Sequence, residues 1–392
     1  MPPSQDVPPV PALAASDLLL PALILRQSAL IHNIATMASY CREMGIALAP
    51  HGKTTMSPEI AGLQLSHGAW GITVADVRQA AVFRDAGVRR ILIANEVTHP
   101  NSLAWLRAIR DTDHDFEIIC CVDSVTGVDL AGGLFKAERA LDVLIEVGFD
   151  GGRGGCRNLA AAMEVARKVA ETPGLRLVGV SAYEGIIEDN EDLVDGLLQR
   201  VRELVQAIDD GGGFADVPQI LVSAGGSIYF EQVVARLRSW SQTRPVTLMI
   251  RSGGYVTHDH GFYDSRSPWG TKQTGPRKLI PALEIWGEVL STPEVGLAVV
   301  GFGRRHAPED HGLPKPLLRR TSDGRQLDLP GSSIARLNDQ HAYLVLGHGS
   351  ELEVGDTVVA GISHPCTAFD KWRSIPMVDD DYRIVGNVRT LF

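Results

Sequence analysis

The feature that most constrains the fold is a rhythm. Between residues 46 and 251, brief apolar β-type runs alternate with helix-length stretches, the runs lying at 46–50, 70–75, 90–95, 117–122, 142–148, 176–182, 219–223 and 247–251. Each run ends in polar or Gly-rich residues, and helical patterns such as 76–87, 158–171 and 190–209 fill the intervals. Parallel βα units produce this alternation, and eight strands is the number that closes a barrel. One strand more or fewer would open it into a doubly wound sheet. Ahead of the first run, Leu30, Ile31, Ile34, Met37 and Ala38 form a helical stripe within Ser28 to Met44, stopped by Gly45.

Beyond about residue 268 the period changes. Short β-rich runs, Leu283 to Leu290, Val295 to Val300, His341 to Leu346 and Asp356 to Ile362, are punctuated by Gly and Pro, and long helical patterns disappear. A second, mostly β domain is the reading. Within it, Gly303 to Gly331 reads as a loop-like insertion. Met1 to Leu25 is Pro-rich and apolar, without a basic segment before Leu18-Leu19-Leu20 and interrupted by Asp17 and Pro21. It reads as a flexible leader, not a signal peptide.

A chain of 392 residues, 44% hydrophobic and 21% charged, can bury a large core. Acidic residues outnumber basic ones 47 to 37, and no long Lys/Arg run exists, which argues against a nucleic-acid or anionic-membrane surface. No stretch has the length of a charge-free spanning helix. Five cysteines without a C-x-x-C pair fit a reduced, cytoplasmic setting.

Three places can carry chemistry. Lys53 follows the first run, at what would be the carboxyl end of a barrel, where active sites gather. Desolvation of an inward-pointing ammonium favours the neutral amine that attacks an aldehyde to form a Schiff base. An arbitrary loop lysine is more often a surface one, so position alone does not decide. Two Gly-rich turns, Ser223-Ala224-Gly225-Gly226-Ser227 and Arg251-Ser252-Gly253-Gly254-Tyr255, follow the last two runs, where barrels often hold a phosphate. The third place is His364-Pro365-Cys366, whose imidazole and thiol face one side of an extended segment and can share a metal, zinc first. A buried Cys beside a hydrogen-bonded His is the plainer account. His258-Asp259-His260 and Glu184 beside Tyr183 are lesser clusters, the first read as a polar loop.

Together these residues resemble the D-serine dehydratase and D-threonine aldolase family, enzymes of the alanine-racemase-like fold that use pyridoxal phosphate. The resemblance runs along nearly the whole chain. It takes in Pro21-Ala22-Leu23, His51-Gly52-Lys53-Thr54, Gly71-Ile72-Thr73-Val74-Ala75, Glu146-Val147-Gly148 with Arg153-Gly154-Gly155, and Ala182-Tyr183-Glu184-Gly185. Both Gly-rich turns and His364-Pro365-Cys366 complete it. It implies an α/β fold: a (β/α)8 barrel of alanine-racemase type at 27–267, with 1–26 plus 268–392 forming the β domain that carries the metal pair.

By the same resemblance Lys53 is the Schiff-base lysine, and Gly225, Gly226, Ser227, Gly254 and Tyr255 are the phosphate cradle. Arg153 and Tyr183 lie near the cofactor ring, and His364 and Cys366 are the ligands of Zn2+, or of Mn2+. Cysteine at 366 is similar to the dehydratase branch, where the aldolase branch usually has aspartate. The implied reaction takes a β-hydroxy D-amino acid such as D-serine, D-threonine or D-3-hydroxyaspartate to a 2-oxo acid and ammonia, in a homodimer. Lys53 would remove the Cα proton while the metal holds the departing β-hydroxyl. Retro-aldol cleavage on the same scaffold is the runner-up. A racemase has no use for the metal pair, and a non-catalytic pyridoxal-phosphate carrier has no use for the β domain.

Overall fold

The computed structural model describes residues 14–238, 244–270 and 276–392. Two compact units share the chain. One comprises 33–256, 263–279 and 390–392; the other comprises the part up to His32, 257–262 and 280–389. The first strand, β1 (Ala22–Arg26), belongs to the second unit.

The larger unit is built from β2 (Ala47–Leu48), β3 (Ile72–Val74), β4 (Arg90–Glu96), β5 (Glu117–Val122), β6 (Leu141–Val147), β7 (Leu175–Ala182), β8 (Ile220–Ser223) and β9 (Val246–Ile250). They pair in parallel in the order β2-β9-β8-β7-β6-β5-β4-β3. The two ends of that order are themselves joined. The Trp70 N–H donates to the Leu48 carbonyl (2.7 Å), Thr73 N–H to the Pro50 carbonyl (2.9 Å), and a bridge pairs His51 with Thr73. The sheet therefore closes into a (β/α)8 barrel.

Local chemistry explains why the intervening segments are helical. Asp76, Asn158 and Asn190 each cap a helix N-terminus by accepting a backbone N–H three residues on, from Gln79, Ala161 and Leu193. The helix Glu191–Asp210 then buries Val194, Leu197, Leu198, Val201, Leu204, Val205 and Ile208 at helical spacing. Among the described residues no helix is long and apolar enough to cross a membrane.

The smaller unit is a mostly antiparallel sheet. Its further strands are β10 (Leu283–Glu294), β11 (Leu297–Val300), β12 (Lys315–Arg320), β13 (Gln326–Asp328), β14 (Ser333–Leu337), β15 (Ala342–Val345), β16 (Thr357–Gly361), β17 (Ser374–Val378) and β18 (Ile384–Arg389). The path is β13-β12-β16-β10-β1-β17-β18, with β11, β15 and β14 continuing from the far half of β10. Trp286, Ile24, Val359, Val378 and Ala15 form a buried cluster here.

Two sequence expectations need correction. The end of the expected flexible leader is ordered: Ala22 to Leu25 pair with Trp286 to Leu283 in the middle of the sheet, and Leu23, Ile24 and Leu25 have no exposed surface. Four consecutive buried positions match a strand covered on both faces, which hydrophobic alternation does not reveal. Residues 1–13 of that leader lie outside the described residues. The Gly303 to Gly331 segment is not simply a loop, because it contains β12 and β13, and β12 pairs along β16 from Lys315 to Arg320.

Candidate active site

In the barrel, β2 ends at Leu48 and runs through His51 into a 3-10 turn, Gly52–Thr54, that carries Lys53. Gly52 is needed there, since a Cβ would lie 2.6 Å from the Phe83 ring. Lys53 lines a cavity of about 180 Å³ with His51, Glu96, Glu146, Phe149, Arg153 and Tyr183, all at or just beyond strand ends. The loop bearing Arg153 is fastened by Arg157, which donates to the carbonyls of Gly152 (2.9 Å) and Gly154 (2.7 Å), and by Gly155 N–H on Asp123 (3.0 Å). The Arg153 guanidinium lies 4.7 Å from the centre of the Tyr183 ring, a cation–π contact.

Burial, and then the charges of Lys53, Arg251 and Arg153, hold the His51 imidazole well below the usual histidine range. His51 is thus neutral at pH 7, and its buried Nδ1 has no hydrogen-bond partner among the described atoms. Glu96 is moved the other way. Burial raises its carboxyl above the ordinary range, with Asp123 and Glu146 adding to the rise, and its Oε1 also lacks a partner among the described atoms. Arg251 is fixed on the barrel's inner face, donating to Ser181 Oγ (2.6 Å), Ser223 Oγ (3.2 Å) and the Ala182 carbonyl (2.6 Å).

The two Gly-rich turns pack against residues that line this cavity. A Cβ on Gly226 would meet the Tyr183 ring at 3.1 Å, and one on Gly253 would meet the His51 carbonyl and Thr54 Oγ1 at 2.8 Å. Gly225 has φ +98°, where an L side chain is strained, and its Cβ would also strike Ile250 at 2.7 Å. Glu184, which the sequence left as a lesser cluster, proves to be the clamp of the first turn. Its fully buried carboxylate accepts the N–H groups of Gly226 (2.5 Å) and Gly225 (3.2 Å). Gly254 N–H donates to Ser227 Oγ (3.2 Å), tying the turns together. The Tyr255 side chain points elsewhere: it is 1% exposed, its hydroxyl accepts from Gln64 Nε2 (2.9 Å), and burial pushes its phenol up. At most its backbone can serve a ligand in this turn.

An amine, a guanidinium and a neutral imidazole line one mouth, and two close-approach glycine turns touch its walls. That donor set fits an anionic, phosphate-bearing aldehyde.

In the β unit the second site is assembled from three separated segments. His364 Nδ1 lies 2.7 Å from Asp310 Oδ2, and because a carboxylate only accepts, Nδ1 carries a proton and any metal bond to this ring would be made by Nε2 in place of its proton. Thr367 Oγ1 donates to the other oxygen of Asp310 (2.8 Å). Burial by itself lowers His364, but hydrogen bonds with Cys366 and Asp310 outweigh it and raise the imidazole to about 9. His364 and Cys366 are therefore side by side, and a nitrogen-plus-thiolate pair oriented by a carboxylate suits a divalent metal.

The segment from His258 is not the polar loop expected from sequence. Thr257, His258 and Asp259 are at most 1% exposed. The N–H groups of His260 and Phe262 pair with the carbonyls of Ile362 and Ser363 (both 2.8 Å), so this segment buttresses the strand leading to His364. Phe262 in turn stacks on His311 at 4.0 Å. Asp310 and His311 were missed in the sequence. They lie 54 and 53 residues before His364, and an Asp-His dipeptide in a presumed loop gives no signal of its own.

Comparison with known proteins follows this division. The family model for the alanine racemase N-terminal domain matches residues 25–245, and one described as a serine dehydratase domain matches 282–378. A 3-hydroxy-D-aspartate aldolase from Paracoccus denitrificans (strain Pd 1222) is 29% identical over 318 residues, 79% of this chain and 78% of that protein. A D-threo-3-hydroxyaspartate dehydratase from Delftia sp. (strain HT23) is 29% identical over 212 residues, 53% and 55% of the two chains. Solved structures of that dehydratase include a cysteine-to-alanine mutant in a metal-free form (TM-score 0.73, 23% identity, 97% of this chain and 99% of that one). The structure of D-threonine aldolase from Filomicrobium marinum superposes with a TM-score of 0.79 at 25% identity over 97% of both chains. The barrel match alone spans more than half of the sequence, and the chain belongs to the family of the alanine racemase N-terminal domain, in the branch of D-threonine aldolases and D-3-hydroxyaspartate aldolases and dehydratases.

Proposed function

We propose that this chain is a pyridoxal-phosphate- and divalent-metal-dependent lyase that converts a β-hydroxy D-amino acid, of the size of D-serine, D-threonine or D-3-hydroxyaspartate, to a 2-oxo acid and ammonia. The observation that carries the reading is the His364–Cys366 pair, held side by side, with Asp310 on His364 Nδ1 to orient the ring. It stands in the same chain as a lysine in a barrel-mouth cavity. When bound, the cofactor supplies an electron sink that makes the Cα proton of an attached amino acid acidic. A zinc ion, or manganese, at His364 and Cys366 supplies a Lewis acid for the β-hydroxyl.

The chain's own residues divide the remaining work. Lys53 offers the amine that holds the cofactor and, once released, the base that takes the Cα proton. Arg153 and Tyr183, stacked on one another, wall the same cavity. His51 is held neutral there and adds no further positive charge. Because Glu184 already occupies the amides of Gly225 and Gly226, those glycines shape the turn, and Ser227 with the backbone beyond Gly254 would hold the phosphate.

A second reading has its own support, since relatives at 25 to 29% identity include aldolases acting on D-threonine and 3-hydroxy-D-aspartate. Incubation with D-threonine, with and without a chelator, separates the two. Dehydration gives 2-oxobutanoate and ammonia in a chelator-sensitive reaction; glycine and acetaldehyde would assign the aldolase. No product from any D-β-hydroxy amino acid with metal supplied would return the chain to a cofactor carrier.

A further inference from the structure

We infer that residues 390–392 act as a strap on the lysine-bearing turn, the Leu391 main-chain N–H fixing the position of Lys53 and with it the strength of cofactor binding. The inference rests on the reading of Lys53 as the lysine that holds the cofactor, and adds a positioning residue from the far end of the sequence. Three residues after Lys53, Met56 has φ +43°, in the left-handed region. A non-glycine residue there is strained, and it persists only where its surroundings hold it. Three contacts hold Met56. Its N–H donates to the Gly52 carbonyl (2.8 Å), closing the turn around Lys53. Its side chain is buried, 2% exposed. Its carbonyl accepts the Leu391 N–H (2.9 Å).

The reversal at Met56 separates two ordered pieces of chain. Before it lies the 3-10 turn Gly52–Thr54; after it, Ser57 caps the helix Pro58–Ser66 by accepting the Ile60 N–H. On another side the turn is blocked by Gly253, where even a Cβ would lie 2.8 Å from the His51 carbonyl and Thr54 Oγ1. The strap adds a contact that burial does not explain. β18 ends at Arg389, and residues 390–392 then join the larger unit, although the Leu391 and Phe392 side chains stay exposed. Little apolar area anchors those two residues, so a directional main-chain bond sets their place. Without that N–H the Met56 carbonyl loses its partner, which costs more than the bond itself contributes. The left-handed residue is then free to relax, and the turn that aims the Lys53 amine relaxes with it.

The test removes the N–H in two ways and keeps it in a third. Leu391→Pro has no N–H to donate, a chain ended at Thr390 lacks the residue, and Leu391→Ala retains the donor on a shorter side chain. Each form is stripped of cofactor and titrated with pyridoxal phosphate, followed by absorbance. The two forms without the N–H should bind about tenfold more weakly or worse, and Leu391→Ala should match the wild type. Hydrogen exchange of the cofactor-free proteins gives a readout independent of any ligand. Protection should fall in residues 52–56 of the two N–H-less forms while the barrel strands keep theirs. Wild-type affinity in those two forms overturns the inference. Equal weakening in Leu391→Ala also overturns it, by assigning the effect to the side chain, and so does protection lost throughout the barrel, by assigning it to general destabilisation. Covalent trapping of the cofactor that persists in Lys53→Ala overturns instead the reading on which the inference rests, so the two failures are told apart.

Discussion

The barrel mouth and the proposed metal corner around His364 in the β unit are assembled in opposite ways. In the barrel, Lys53, Glu96, Glu146, Arg153 and Tyr183 come from four βα units, those of β2, β4, β6 and β7, and each reaches the cavity because every strand of a parallel barrel ends on the same face. In the β unit, Phe262, Asp310, His311, His364 and Thr367 come from three segments with no repeat between them, joined by specific hydrogen bonds and ring contacts. A repeated framework places functional residues by position. An irregular one places them contact by contact, and each contact carries more of the load.

The largest effect tests the barrel half. Lys53→Ala should lower turnover by at least about a thousandfold, the scale on which removal of a covalent catalyst acts. It should also abolish borohydride trapping of the cofactor on the chain, read by mass spectrometry, while zinc affinity at the metal corner stays at the wild-type value. Trapping that persists in the variant would remove Lys53 from its assigned role. Loss of zinc affinity would break the comparison, because the metal corner draws no residue from the barrel's repeat.

The same contrast explains what could be read in the sequence. All eight barrel strands were legible because an apolar run followed by a helix-length stretch repeats. Lys53 and the two Gly-rich turns stood out by their place in that repeat, although position alone did not decide what they do. In the β unit the sequence offered His364-Pro365-Cys366, a weak signal by its spacing that the family resemblance raised to a metal pair, and His258-Asp259-His260, which read as a polar loop. Asp310 and His311 were not legible, because their partner is more than fifty residues away and a long-range contact leaves no local period. Glu184 was hidden for another reason: a buried acid paired with backbone N–H groups looks in sequence like any surface glutamate. Strand β1 was taken for leader because four buried residues after a proline-rich start have no alternation to mark them.

Ion pairs extend the comparison to stability. In the β unit, Arg319 on β12 pairs with Asp356 beside β16 (3.3 Å), their side chains 15% and 5% exposed. Asp356 also accepts the Glu353 N–H (3.0 Å), and Arg319 also donates to the Glu351 carbonyl. Asp356→Ala strands a largely buried guanidinium and an amide, and should cost about 3 kcal/mol, within the range for breaking a buried pair by removing one partner. Chemical denaturation followed by tryptophan fluorescence measures it. A loss below about 1 kcal/mol would show that this irregular sheet relaxes as freely as a surface.

The smallest effect belongs to the matching pair in the barrel. Asp142 on β6 and Arg176 on β7 are cross-strand partners joined by two hydrogen bonds, Nε to Oδ1 (2.6 Å) and Nη2 to Oδ2 (2.8 Å). The geometry is two-pronged and short, yet Arg176 is 52% exposed, so water and salt screen its charge and its stem must be immobilised to keep the bond. Arg176→Ala should therefore cost only ~0.3–1 kcal/mol, and raising the salt to about 1 M should remove most of the difference between variant and wild type. The backbone ladder between β6 and β7, seven register pairs from Leu141–Leu175 to Val147–Ala182, is untouched by the substitution. If the variant instead lost as much as Asp356→Ala, the barrel would depend on individual side-chain contacts just as the metal corner does, and the distinction between the two halves would fail.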